Sequence, residues 1–84
     1  MENNYKVVLT GLEGFRTVII ENRTKQEAQE YLDDFVADDL QEVKDNKRNG
    51  DKITYSHLKN GEQISKRNWK GELVYKQRYT LEVQ

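Results

Sequence analysis

Only one stretch of this chain repeats its apolar residues at helical spacing, and that restricts the fold more than any other feature. It opens at Thr24-Lys-Gln-Glu27, a capping box: the Thr24 hydroxyl can accept from the Glu27 amide while the Glu27 side chain reaches back to the Thr24 amide. At about 100° per residue, Ala28, Tyr31, Leu32, Phe35, Val36, Leu40 and Val43 then fall within one arc, the stripe a helix needs to lie on a sheet. Glu27, Glu30, Asp33, Asp34, Asp38 and Gln41 occupy the opposite arc. The helix is expected to fade in Asp45-Asn-Lys-Arg-Asn-Gly50, where Asn and Gly tolerate a left-handed backbone and Lys47 and Arg48 suit the negative helix end.

The flanking segments read as strands. Tyr5-Lys-Val-Val-Leu-Thr10 and Phe15-Arg-Thr-Val-Ile-Ile20 are β-branched and aromatic runs joined by Gly11-Leu-Glu-Gly14, which predicts an N-terminal hairpin. After the helix, Lys59-Asn-Gly-Glu62 predicts a tight turn with Asn60 and Gly61 at its central positions, both at positive φ. That register sets His57 against Ile64, Tyr55 against Lys66 and Ile53 against Asn68. A second tight turn at Lys70-Gly71 would set Asn68 against Leu73 and Lys66 against Tyr75. In residues 73–83, Leu73, Tyr75, Tyr79, Leu81 and Val83 share a parity with Gln77 as the polar exception, which assigns one sheet face to the core. The other face would carry Lys52, Thr54, Ser56, Ser65, Arg67, Trp69, Val74, Lys76, Arg78 and Thr80.

The expected architecture is therefore α+β: a two-layer β-β-α-β-β-β domain, mostly antiparallel, with one helix packed on one sheet face. Its hairpin-helix-hairpin start resembles β-grasp domains at the level of architecture alone. Residues 1–84 are expected to form a single domain, without proline, low-complexity tract or internal repeat. Leu, Ile, Val and Phe make up 20 of the 84 residues and the net charge is -1, outside the disordered class. The absence of cysteine excludes a disulfide framework and a thiolate metal site. The start Met1-Glu-Asn-Asn has no basic segment followed by an apolar run, so a cytoplasmic protein is expected.

Catalytic constellations are scarce. The single histidine, His57, has Ser56 beside it, but neighbours on a strand point to opposite faces and cannot meet. The expected state of His57 is half-buried at the sheet edge, packed on Ile64. Glu30, Asp34 and Asp38 recur on one helical face, yet carboxylates on a convex helix diverge into water rather than converge as cation ligands do. No catalytic residue, metal or cofactor is assigned, and Gly11 and Gly14 precede a strand instead of the helix a phosphate loop needs. Asn22-Arg-Thr24 matches a glycosylation acceptor by coincidence, since Thr24 serves as the helix cap. Asp39 is the anomaly: it projects into the apolar arc. The first expectation is that the helix bends or frays beyond Val36; the alternatives are a partner such as Lys6 or Tyr31, or exposure for a function.

The charge distribution carries the functional reading. Residues 1–42 hold 4 Lys and Arg against 10 Asp and Glu, whereas residues 43–84 hold 10 against 5. An acidic helix face, Glu27, Glu30, Asp33, Asp34 and Asp38, is thus expected to oppose a basic sheet face. A small non-enzymatic binding protein follows, a regulator or inhibitor that engages a protein partner through the acidic helix. The alternative is a nucleic-acid-binding module in which Lys52, Arg67, Lys76 and Arg78 meet phosphates and Trp69 stacks a base. Pairing of two copies through an edge strand formed by residues 73–83 is a third expectation. With 9 Lys and 7 Asn against 2 Ala, the composition suits an A+T-rich coding sequence of the kind found in Gram-positive bacteria and their phages.

Overall fold

The computed structural model describes residues 4–84; Met1 to Asn3, part of the segment read for a leader, lie outside the described residues. The chain forms β1 (Tyr5–Gly11), β2 (Arg16–Arg23), α1 (Lys25–Asp45), β3 (Lys52–Leu58), β4 (Gly61–Arg67) and β5 (Leu73–Val83), in the expected order. The five strands make one sheet in the order β2-β1-β5-β4-β3, and all four pairings are antiparallel. β5 therefore lies at the centre, bonded to β1 on one side and β4 on the other. The expectation that residues 73–83 form a free edge is overturned, because the N-terminal hairpin docks against them and uses their hydrogen bonds.

The helix is capped as its sequence dictates. Glu27 N donates to Thr24 Oγ1 at 3.1 Å and Thr24 N donates to Glu27 Oε1 at 3.2 Å. It continues unbroken to Asp45 and closes on Asn46, whose side-chain amide donates to the Glu42 carbonyl at 3.0 Å. The expected break beyond Val36 does not occur. α1 lies across β1, β2, β5 and β4 and buries Ala28, Leu32, Val36 and Val43 against Val7, Ile64 and Tyr79. Phe35 is half-buried and stacks between Tyr31 and Tyr79, with ring centroids 6.5 and 6.4 Å away.

Two of the hairpins use one device. In Gly11–Phe15 and in Asn68–Glu72, three residues form the loop and the third is a glycine at positive φ: Gly14 at 90° and Gly71 at 82°. A three-residue loop at Trp69–Gly71 shifts the pairing by one residue from the expected tight turn, so Arg67 faces Leu73. A bulge between Lys66 and Arg67 then restores Lys66 against Tyr75, as parity requires. Without that bulge every following side chain of β5 would change face.

The β3–β4 turn departs from expectation. Its central residues are Lys59 and Asn60, so Leu58 faces Gly61, His57 faces Glu62 and Tyr55 faces Ile64. Neither Asn60 nor Gly61 has positive φ. Gly61 is needed for a different reason: a Cβ there would sit 1.9 Å from the Tyr79 carbonyl oxygen of β5. Moving the turn by one residue moves the register by two, so the assignment of faces survives.

Candidate functional site

The helix face turned away from the sheet is acidic along its length. Glu27, Glu30, Asp34, Asp38 and Asp45 are exposed there, with Asp33 and Glu42, also exposed, on its flanks toward β3 and toward Tyr75, while Lys25 and Lys44 are the cations of α1. Three glutamines hold carboxylates one turn away: Gln26 donates to Glu30 at 3.3 Å, Gln29 to Asp33 at 3.0 Å and Gln41 to Asp45 at 2.9 Å. Tyr31, expected in the core arc, is instead 41% exposed at the border of this face. The Arg23 guanidinium lies 5.4 Å over its ring, and a shallow hollow is lined by Glu27, Glu30, Tyr31 and Asp34.

The sheet face without the helix is basic. Register places Lys52 beside Arg67, Lys76 beside Ser65 and Arg78 beside Gln63, so the four expected cations share this surface. Lys6 and Arg16 join them, with Glu82 between. Arg16 donates to Glu82 at 2.8 Å and holds its carboxyl below the usual range. Arg78 donates to Gln63 at 2.9 Å and Arg67 to the Gly71 carbonyl at 2.9 Å, which fixes two guanidinium groups in place. On the same face Val8 and Thr80 are buried, with Val18 exposed beside them. Trp69, expected on this surface, lies instead in the β4–β5 turn because the strand ends at Arg67. It is 73% exposed, with the Lys70 ammonium 5.2 Å over its ring. Gly50, at φ 91°, approaches it so closely that a Cβ there would lie 2.8 Å from Trp69 Cβ. The chain from Asn46 to Asp51 thereby brings Lys47 and Arg48 to the same end of the molecule.

His57 is exposed, not half-buried against Ile64, because the shifted turn sets it opposite Glu62. Its Nδ1 lies 2.8 Å from Glu62 Oε1 and its ring is 5.0 Å from Tyr55. A hydrogen bond to Glu62 pushes the Tyr55 phenol up to about 12, with burial adding to it. These three residues rim a groove of about 390 Å³ whose other wall is Asp33, Val36, Ala37 and Leu40 of α1. Among the described residues, no three His, Asp or Glu side chains converge as metal ligands would, and no helix is long and apolar enough to cross a membrane.

The sequence matches no protein-family model and no curated protein, and the fold matches no solved structure. The surfaces themselves therefore carry the functional argument.

Asp39 belongs to neither face. It is buried, and it accepts from the Tyr79 hydroxyl at 2.7 Å and from the Tyr75 hydroxyl, rather than from Lys6 or Tyr31. Burial first, and the bond to Asp39 second, raise both phenols above the ordinary tyrosine range. Their spacing on β5 was legible in the sequence, but their reach to Asp39 was not.

Proposed function

We propose that this is a small, cytoplasmic, non-enzymatic binding protein that regulates or inhibits a protein partner through the acidic outer face of α1. The observation that supports this most is the concentration of seven exposed carboxylates on one rigid, capped helix with Tyr31 exposed at its border. A surface of one sign steers a basic partner and suppresses wrong ones, and an aromatic side chain beside it provides an anchor. The Lys- and Asn-rich, Ala-poor composition suits a phage or mobile-element origin, in which occlusion of a host enzyme or defence complex is the role we infer. The test is affinity capture from a native lysate with nuclease treatment, comparing the wild type with the Glu30→Lys, Asp34→Lys, Asp38→Lys variant. A protein retained by the wild type and lost by the variant, whose thermal stability is unchanged, supports the reading. Equal capture by both overturns it.

The six cations on the open sheet face favour a second reading, binding of single-stranded nucleic acid with Trp69 as a stacking ring. Reversal of Arg67, Lys76 and Arg78 to Glu then abolishes binding to a labelled oligonucleotide and flattens its salt dependence. Affinity that survives the reversal removes this reading.

A further inference from the structure

The two edges of the sheet differ in how they meet solvent. β2 is guarded: its pairing with β1 is irregular between Tyr5 and Val8, Asn22 takes a φ of 60°, and Arg16, Glu21 and Arg23 interrupt it. Bulges and charges of this kind keep an edge from accepting another strand. β3 is built differently. Its seven residues, Lys52-Ile-Thr-Tyr-Ser-His-Leu58, pair with β4 in unbroken register and contain neither glycine nor proline. Lys52 sits at the far end, and α1 packs chiefly on the other four strands and faces β3 across the groove rimmed by Tyr55 and His57. Counting from the Leu58–Gly61 pair that closes the hairpin, alternation directs the N–H and C=O groups of Ile53, Tyr55 and His57 away from β4. These groups form an open ladder beside a Tyr55 side chain that is 43% exposed.

We propose that β3 pairs antiparallel with β3 of a second copy about a two-fold axis at Tyr55, joining the two sheets into one of ten strands. The sequence of the strand is self-complementary in this register. All seven residues find a partner: Tyr55 faces Tyr55, Ile53 faces His57, Thr54 faces Ser56 and Lys52 faces Leu58. Aromatic meets aromatic, hydroxyl meets hydroxyl, and no two like charges stand opposite each other. Any other register with both helices on the same side shortens the ladder by at least two residues. Of the acidic helix residues, Asp33 adjoins β3, across the groove that Tyr55 and His57 rim, whereas Glu30, Asp34 and Asp38 line no part of it.

The chain has no cysteine, so a single introduced thiol reports the register. Across the axis two Tyr55 Cα atoms would be about 5.5 Å apart, inside the span of about 4.4–6.8 Å that a disulfide bridges. Thr54, which faces Ser56, would meet its own counterpart only diagonally at about 7–8 Å. Mild oxidation is expected to convert the Tyr55→Cys variant to a covalent dimer many-fold faster than Thr54→Cys. In sedimentation velocity the wild type is expected to rise with concentration from 10.0 kDa toward twice that mass. Tyr55→Lys, which sets like charges face to face, should remain monomeric with an unchanged circular dichroism spectrum; if it fails to fold, the cysteine pair decides. A wild type that stays monomeric at every concentration, or equal cross-linking of the two cysteine variants, overturns the proposal.

Discussion

The hydroxyl of Tyr79 donates to Asp39 Oδ2 at 2.7 Å, and this bond reconciles a charged residue with the apolar side of the helix. Asp39 is 8% exposed, and Tyr75 donates to its other oxygen. A carboxylate so placed is tolerated only while its acceptor sites are filled. The pair spans the two layers, helix above and central strand below, and so fixes how α1 sits on β5.

Asp39→Ala is therefore expected to cost about 3 kcal/mol in urea denaturation, because it strands two hydroxyl donors at the interface. Tyr75→Phe, at a half-buried position, should cost about 1 kcal/mol. A cost for Asp39→Ala as small as that of an exposed acid would show that the bonds do not hold the layers.

The same contacts set the alkaline limit. Tyr75 and Tyr79 have raised folded-state pKa values, so folding favours their neutral form; the stability they confer is complete below the ordinary tyrosine value of 10.0 and is lost as pH rises through the folded values. In an ultraviolet pH titration, Tyr55 should ionise near 12. Tyr75 and Tyr79 should ionise only as the near-ultraviolet circular dichroism collapses. Asp39→Asn should move that collapse to lower pH.

Gly61 and Asn60 separate two explanations of the β3–β4 turn. Gly61→Ala places a methyl 1.9 Å from the Tyr79 carbonyl and is expected to prevent folding or to cost several kcal/mol, on the order of 4 or more. Asn60→Ala should cost under about 1 kcal/mol, because Asn60 does not use positive φ. Comparable losses at both positions would restore the turn centred on Asn60 and Gly61.

Leu32 is fully buried beneath α1, and Asp34 lies on the opposite side of the same helix. Leu32→Ala should cost about 2–5 kcal/mol by emptying the centre of the core. Asp34→Ala should stay within about 0.5 kcal/mol. Thermal denaturation of the two variants checks that the acidic face is free of structural duty.

What the sequence determined by itself was local. Thr24 and Glu27 specify the helix start because both capping partners lie three residues apart, and the arc from Ala28 to Val43 specifies which side is buried because helical spacing is fixed by backbone geometry. Alternation along residues 73–83 assigned the sheet faces for the same reason. The acidic and basic surfaces followed directly, since a charged residue on a known face has only one side to occupy.

Tertiary structure alone decided what depends on distant partners. Whether residues 73–83 are edge or centre turns on where the first hairpin docks, a contact made 72 residues apart between Thr80 and Val8. The fate of Asp39 turned on two tyrosines 36 and 40 residues away. The turn is centred on Lys59-Asn60, and Gly61 serves instead as the first residue of β4, where the backbone of β5 passes too close for any side chain. In each case the deciding energy lies in packing between segments that share no local pattern, and spacing along the chain carries no record of it.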